Sequence, residues 1–115
     1  MTYVDGFVAP VPTGRREDYR AHAARAAEVF KAHGALACVE TWGDDVPKGE
    51  RTSFPMAVQL AEDETVVLGW IVWPSRAARD AGMAAAMADP RLTGEEMPFD
   101  GKRMIFGGFE TILDV

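Results

Sequence analysis

The pattern of apolar and polar residues along the chain predicts four strands and two helices. Residues 2–9 (TYVDGFVA) alternate and are rich in strand-forming residues, which predicts a strand ended by Pro10 and Pro12. The apolar run TVVLGWIVW at residues 65–73 gives the strongest strand signal in the chain. Two further strands are predicted at residues 35–42 and 102–113.

Two of the segments between these strands have apolar residues at the spacing of a helix. The first helix is predicted over residues 14–33, because its apolar residues recur on one helical face. Thr13 is expected to cap that helix, and Gly34 to end it in the left-handed conformation. Ser75 is expected to cap a second helix that runs to about residue 88. The stripe of the first helix consists of Tyr19, Ala23, Ala26, Ala27 and Phe30.

The order of these elements, β-α-β-insert-β-α-β, is the split βαβ pattern of ferredoxin-like folds. Within the insert, residues 43–50 are predicted to be a solvated loop, and residues 53–60 (SFPMAVQL) fit either a short capped helix or a strand. The predicted fold class is α+β, with a four-stranded, mainly antiparallel sheet. Two helices cover one face of such a sheet, and a second copy of the chain is the usual cover for the other. We therefore expect a homodimer that forms an α/β barrel.

Length, charge and cysteine content narrow the class of protein. The 115 residues fit one domain, expected over residues 1–115. A net charge of −6 disfavours nucleic acid and anionic membrane surfaces as partners. Cys38 is the single cysteine and has no disulfide partner within the chain, and no signal peptide or membrane-spanning stretch is recognisable. We expect a cytoplasmic protein without a nucleic-acid or membrane partner.

No metal or cofactor is predicted. His22 and His33 lie on one stripe of the first helix but are separated by three turns, so they cannot share a metal ion. The sequence has no nucleotide-binding glycine loop, serine elbow or zinc-binding helix. The candidate chemistry therefore rests on single carboxylates and aromatic side chains.

Strand alternation sorts the side chains into two predicted faces. The second helix is almost all small residues, so it can approach large side chains closely, which favours the aromatic and acidic face as the one that both helices cover. The alternative is that Tyr19 and Phe30 of the first helix pack on the small apolar face. One predicted face is small and apolar: Val4, Gly6, Val8, Ala35, Ala37, Val39, Val67, Gly69, Ile71, Ile105, Gly107 and Phe109. The other is aromatic and acidic: Tyr3, Asp5, Phe7, Cys38, Glu40, Trp42, Leu68, Trp70, Phe106, Gly108 and Glu110.

Carboxylates among aromatic side chains are candidates for acid–base chemistry, because burial raises their pKa values unless they are paired. Asp5 and Glu110 are the predicted catalytic groups, and Asp5 is favoured because the first strand is central in a ferredoxin-like sheet. The alternative is that these acids reach water at strand ends or pair with Arg79, Lys102 or Arg103.

A ligand pocket on this face would have further contacts from neighbouring strands. The tryptophans can stack on a flat ligand or, alternatively, fill the core or an interface. The predicted ligand-binding residues are Tyr3, Glu40, Trp42, Trp70, Arg103 and Phe106.

Five motifs together resemble one bacterial family. They are YVDGFV at residues 3–8, VETWGDDVPKG at 39–49, WPSRAARDA at 73–81, ADPR at 88–91 and MPFDGKRMIFGGFE at 97–110. These segments resemble the YbaA-like family, domain of unknown function 1428. The resemblance implies the dimeric α/β-barrel variant of the ferredoxin-like fold, a superfamily that includes cofactor-independent monooxygenases and haem-degrading enzymes. It implies no particular activity for this chain.

Two classes of function follow from these observations. The first is a homodimer that binds a small organic molecule against the aromatic and acidic face, with a cofactor-independent oxygenase acting on an electron-rich aromatic as its enzymatic version. The second is a non-catalytic dimerisation or interaction module, whose aromatic residues fill an interface. Unpaired carboxylates in a pocket would favour the first class, and fully paired carboxylates would favour the second.

Overall fold

A computed structural model describes all 115 residues of the chain. The strands are β1 (Tyr3–Pro12), β2 (Ala37–Trp42), β3 (Glu64–Trp73) and β4 (Ile105–Glu110), and the helices are α1 (Arg16–Ala32), α2 (Phe54–Ala57) and α3 (Arg76–Met87). All four strands pair antiparallel in one sheet of order β2-β3-β1-β4. This is the predicted α+β class with the ferredoxin-like split βαβ order.

β1 runs through both prolines that were predicted to end it. Pro10 and Pro12 pair with β3, while pairing between β1 and β4 stops at Val8 and Ile105. Beyond Val8, one side of β1 therefore has no neighbouring strand. A sheet tolerates proline at such a position, because no hydrogen bond from its backbone nitrogen is needed there. β4 is also shorter than predicted, because residues 102–104 and 111–113 lie outside the strand.

Two of the predicted helix signals are confirmed, one is wrong, and the segment that was left open is resolved. The Ser75 side chain accepts a hydrogen bond from the Ala78 amide and caps α3, and Gly34 has a φ of 110° after α1. Ser53 caps α2, so the ambiguous segment is a short helix. Thr13 caps nothing: its hydroxyl hydrogen-bonds to Thr65, and a 3-10 turn over Thr13–Arg15 precedes α1.

The strand register corrects the predicted faces at β3. Trp70 pairs with Gly6 and Val39, so it lies on the face opposite Asp5. Ile71 pairs with Asp5 and Cys38, so β3 was predicted with its two faces exchanged. The helix-side face comprises Tyr3, Asp5, Phe7, Ala9, Cys38, Glu40, Trp42, Val67, Gly69, Ile71, Trp73, Phe106, Gly108 and Glu110. The open face comprises Val4, Gly6, Val8, Ala37, Val39, Thr41, Val66, Leu68, Trp70, Val72, Ile105, Gly107 and Phe109.

The helices cover the face that carries the aromatic and acidic residues of β1 and β2, as expected for these two strands, but Trp70, which was expected on the same face, lies on the opposite one. Arg79 of α3 lies beside Asp5, and Tyr19 of α1 donates a hydrogen bond to Glu40. Fully buried Trp73 packs with Ile71 and Ala35 under these helices. The insert covers one end of the open face, where three residues form a separate buried cluster: Val8, Val58 and Val66.

Candidate functional site

A row of four residues crosses the helix-side face from edge to edge. The register places Glu40 beside Gly69, Gly69 beside Phe7, and Phe7 beside Phe106. Gly69 has no side chain, and a Cβ there would collide with Cζ of Phe7 and lie 2.9 Å from Oε1 of Glu40. The ring of Phe7 and the carboxylate of Glu40 therefore meet above Gly69, and a larger residue there would separate them.

The helix layer leaves this row partly accessible. Phe106 is 77% exposed although it lies on the helix-side face, and Phe7 is only half-buried on a central strand. Glu40 is exposed at the edge strand β2. Exposed aromatic surface beside a polar group is typical of a ligand-binding surface rather than of a sealed core.

Asp5, a predicted catalytic group, is held by an arginine and a tryptophan. The Trp73 indole Nε1 donates a hydrogen bond of 2.9 Å to Oδ2 of Asp5, and Arg79 Nε lies 3.3 Å from Oδ1. Arg79 Nε is buried and close enough for an ion pair, but it is not aligned for a hydrogen bond. Asp5 thus takes the paired arrangement that the sequence analysis gave as the alternative to catalysis.

Arg79 also engages Tyr3, a predicted ligand-binding residue. Its guanidinium lies 4.9 Å from the centroid of the Tyr3 ring, and Nη2 donates to the Tyr3 hydroxyl at 3.2 Å. A side chain at Gly108 would collide with both groups. Glycine at this position of β4 therefore makes room for the Arg79–Tyr3 contact.

Glu40 and Tyr19 form the second polar group of the site. The hydroxyl of Tyr19, which is 5% exposed, donates a 2.5 Å hydrogen bond to Oε1 of Glu40. Desolvation raises the pKa of Glu40, and the hydrogen bond from Tyr19 offsets part of that increase. Although Glu40 is exposed as a residue, its carboxylate end lies against Tyr19 and above Gly69, which explains the desolvation. Burial and the Glu40 charge raise the pKa of Tyr19 far above its ordinary value.

Tyr19 is held in place by aromatic contacts. Its ring packs against Trp42 at 6.5 Å and edge-on against Phe99 at 5.8 Å, where Phe99 belongs to the segment before β4. Arg16 covers the Trp42 ring at 5.4 Å, so Trp42, predicted to bind a ligand, is already in contact with a protein cation. His22 Nδ1 lies 3.4 Å from Oε1 of Glu95, a residue of the same segment before β4.

Three predicted site residues lie away from this row. Trp70 is on the open face. Arg103 makes a bidentate ion pair with Glu64, with both contacts at 2.7 Å. Glu64 begins β3, whereas the β3 residue that pairs with Asp5 lies near the other end of the strand. Glu110 pairs with Tyr3 across the strands and is exposed at the edge of the sheet. The structure therefore groups Tyr3 and Asp5 around Arg79 and places Glu40 and Phe106 at the two ends of the row. Glu110 lies beside Tyr3, while Trp70 and Arg103 lie away from both groups.

Two residues of the site were absent from the prediction. Tyr19 was assigned only to the apolar stripe of α1, and Trp73 was given no contact with Asp5. A buried tyrosine hydroxyl or indole N–H usually requires a hydrogen-bond partner, so an isolated Tyr or Trp at a core position is itself a signal. The sequence holds that signal, but the identity of the partner depends on the tertiary structure.

The open face carries a second feature, an apolar groove. The Phe109 ring lies over Gly6 and Gly107, and the segment after β4 stays beside the N-terminus through a Thr111–Thr2 hydrogen bond of 2.8 Å. A cavity of about 380 Å³ lies between that segment and the sheet. It is lined by Thr2, Val4, Val72, Phe109, Glu110, Thr111, Ile112, Leu113 and Asp114.

No three histidine, cysteine, aspartate or glutamate side chains are grouped so that they could hold a metal ion. None of the helices has the length and apolar character needed to cross a membrane.

The sheet order and helix placement define a ferredoxin-like α+β fold. Solved structures support this assignment of the fold. A variant of MhuD with two manganese protoporphyrin IX bound per active site matches with a TM-score of 0.59 and 19% identity, over 98% of this chain and 97% of that one. SnoaB, a cofactor-independent oxygenase from Streptomyces nogalater, matches with a TM-score of 0.53 and 16% identity, over 99% and 94%. Rv0793 from Mycobacterium tuberculosis matches with a TM-score of 0.53 and 13% identity, over 99% and 98%.

Within that fold, the chain belongs to the DUF1428 family, described as a protein of unknown function, whose model matches residues 2–101. It is 55% identical over 116 residues to the uncharacterized protein YbaA of Escherichia coli K12, with 99% of both chains covered. YbaA of Shigella flexneri matches with the same identity and coverage.

Proposed function

We propose that the protein is a cytoplasmic homodimer, one domain over residues 1–115, that binds a small organic molecule on the helix-side face. The observation that carries this proposal is the accessible aromatic row, in which Phe106 is 77% exposed and Phe7 is half-buried. Binding sites for small molecules combine apolar and aromatic walls with a few placed polar groups. The row has this composition.

The polar groups lie on both sides of the two phenylalanines. Arg79 and Tyr3 lie next to the cross-strand pair of Asp5 and Gly108. Glu40 lies at the β2 end of the row that contains Phe7 and Phe106. A flat, aromatic ligand would stack on the Phe7 and Phe106 rings and direct its polar substituents to these groups. We therefore propose an aromatic ligand with polar substituents.

Two proteins of the same fold support a ligand of this kind. MhuD is described with manganese protoporphyrin IX, a flat aromatic macrocycle, in its active site, and SnoaB is described as a cofactor-independent oxygenase. The enzymatic version of the proposal is an oxygenase of that type, acting on an electron-rich aromatic without a cofactor. The shared fold supports this version only by analogy.

The open face supports the homodimer. Apart from Thr41, its side chains are apolar, and several of the large ones are exposed to solvent. An apolar sheet face without a covering layer requires a partner, and a second copy covers it with the same surface through a two-fold axis. We expect the dimer to bury more than about 1,200 Å² in total. The exposed apolar residues on this face are Leu68, Ile105 and Phe109.

Thermal melting against a panel of aromatic metabolites tests ligand binding. We expect at least one aromatic compound to raise Tm of the parent protein, because binding to the folded state stabilises it. Phe106→Ala should remove that shift, and Phe54→Ala is the matched control, because Phe54 is exposed on α2 outside the row. If no compound raises Tm, or if Phe106→Ala retains the full shift, the ligand-binding proposal is wrong.

The pairing of Asp5 with Arg79 favours the second candidate, a non-catalytic interaction module, because a paired carboxylate is not available for acid–base chemistry. In that case light scattering would show a dimer, while no compound of the panel would change its melting temperature.

A further inference from the structure

We propose that Glu40 accepts a hydrogen bond from an aromatic hydroxyl group of the ligand, and that Tyr19 positions the Glu40 carboxylate for this contact. This inference rests on the proposed function and specifies the ligand class as phenolic. The carboxylate assigned to contact the ligand is therefore Glu40 instead of Asp5.

Glu40 has free capacity to accept hydrogen bonds. An ionised carboxylate has two oxygens and about four lone-pair positions for hydrogen bonds. Tyr19 uses one position on Oε1, and the carboxylate makes no other hydrogen bond to the protein. Glu40 is exposed as a residue at the sheet edge, and its contacts with Tyr19 and above Gly69 both involve Oε1, which leaves Oε2 for a ligand.

Glu40 also lies at the end of the row that contains Phe7 and Phe106. Phe7 Cζ and Glu40 Oε1 both occupy the volume that a Cβ on Gly69 would need, so the edge of the Phe7 ring meets the Glu40 carboxylate. A ligand ring stacked on Phe7 would therefore have Glu40 at its edge, with no side chain of β3 in between. A hydroxyl on the leading edge of that ring would reach the carboxylate.

The site already holds a phenol against this carboxylate. The Tyr19 side chain is a phenol, and its hydroxyl donates to Glu40 at 2.5 Å. Its aromatic contacts with Trp42 and Phe99 fix the ring, so the carboxylate is held in one orientation. Charge-assisted hydrogen bonds from hydroxyl groups to carboxylates are shorter and stronger than neutral ones.

Ionisation of Glu40 gives this contact a pH dependence. Desolvation raises the pKa of Glu40, so the carboxylate becomes protonated at a higher pH than an exposed glutamate and then loses acceptor strength. Tyr19 and Cys38 are the titratable groups coupled to it, and the pKa values of both are raised, so neither ionises in the acidic range. The charge of Lys31 acts in the opposite direction on the pKa of Cys38. Acidification should therefore weaken binding of a phenol through Glu40.

The test measures binding of 2-naphthol and naphthalene to the full-length protein by fluorescence titration at pH 5 to 8. We expect the parent to bind 2-naphthol about tenfold or more tightly than naphthalene near neutral pH, because only the former donates to the carboxylate. Glu40→Gln should reduce that preference severalfold and remove its pH dependence. The matched control is Glu50→Gln, since Glu50 is exposed in the insert and outside the site.

Tyr19→Phe separates positioning from simple packing. Loss of its hydroxyl removes a hydrogen bond that stabilises ionised Glu40, so the pH midpoint of 2-naphthol binding should move upward while naphthalene affinity is retained. A change in Tm alone, without a shift of this midpoint, would contradict the positioning role of Tyr19.

The outcomes distinguish this inference from the proposed function. If naphthalene and 2-naphthol bind equally, or if Glu40→Gln keeps the full preference, the phenol contact is wrong while aromatic binding stands. If 2-naphthylamine binds much more tightly than 2-naphthol, the assigned ligand class is wrong. If neither compound binds, this inference is overturned, and the metabolite panel with Phe106→Ala decides the proposed function separately.

Discussion

Arg79 of α3 and Asp5 of β1 form a largely buried ion pair, with Nε 3.3 Å from Oδ1, that joins the helix layer to the centre of the sheet. Their side chains are 22% and 17% exposed, and Trp73 donates a further hydrogen bond to the same carboxylate. Removal of one charge from such a pair leaves the other buried without compensation. The pair therefore gives Asp5 a structural role that can be measured.

Asp5→Asn should lower the free energy of unfolding by about 2 kcal/mol, because it leaves the Arg79 guanidinium without its buried carboxylate. The matched control is Asp80→Asn. Asp80 also contacts Arg79, at 2.9 Å, but it is 53% exposed, and its loss should cost less than about 1 kcal/mol. Urea unfolding of the three proteins measures both values. Unchanged stability of Asp5→Asn together with lost ligand binding would instead show that Asp5 acts on the ligand.

Ser75→Ala should reduce the free energy of unfolding by about 1 kcal/mol, because Ser75 Oγ accepts the hydrogen bond from the Ala78 amide at the start of α3. Thr13→Ala is the control, since Thr13 precedes α1 but makes no capping bond and contacts only Thr65. Its effect should be smaller. Equal losses in thermal unfolding would contradict the different roles that the two residues have in the structure.

The Glu64–Arg103 ion pair should make stability depend on pH in the acidic range. The hydrogen bonds from Arg103 lower the pKa of Glu64 in the folded protein. Because the pKa is lower in the folded protein than in the unfolded chain, ionised Glu64 adds to the free energy of unfolding at pH values above the ordinary glutamate pKa of about 4.3. This contribution is lost as the pH falls through the lowered pKa. Glu64→Gln should therefore be less stable than the parent at pH 7, by about 1–2 kcal/mol, with a difference that narrows on acidification.

The control for that measurement is Glu62→Gln, because Glu62 is exposed and makes no ion pair with Arg103. Its stability should follow the parent at each pH in urea titrations. A constant difference between Glu64→Gln and the parent from pH 7 to pH 3 would show that the ion pair does not cause the pH dependence.

Phe109→Lys should convert the proposed homodimer to a monomer, because it places a charge on the open face that a second copy would cover. Phe106→Lys is the matched variant, since Phe106 is an exposed phenylalanine of the same strand on the helix-side face. Light scattering at micromolar concentration should show a dimer for the parent and Phe106→Lys. If Phe106→Lys alone dissociates, the two copies do not meet through the open face.

The amino-acid sequence by itself determined the order of the elements and several of their ends. Serine at the start of α3, glycine after α1 and the alternation in β1 are local signals, because each depends on backbone geometry within a few residues. The β-α-β-insert-β-α-β order and the ferredoxin-like fold followed from these signals. The expectation that the helices cover the face with Asp5 and Glu40 also came from the sequence, through the small residues of α3.

The tertiary structure decided which side chains share a site. β3 is an unbroken apolar run, so its sequence has no alternation to show which residues face the helices, and only its pairing with β1 and β2 places Trp70 on the open face. Pro10 is tolerated inside β1 because β4 does not extend alongside it. The contact between Tyr19 and Glu40 joins residues from a helix and a distant strand. Its formation depends on how α1 packs across the sheet, and no pattern within either segment encodes that packing.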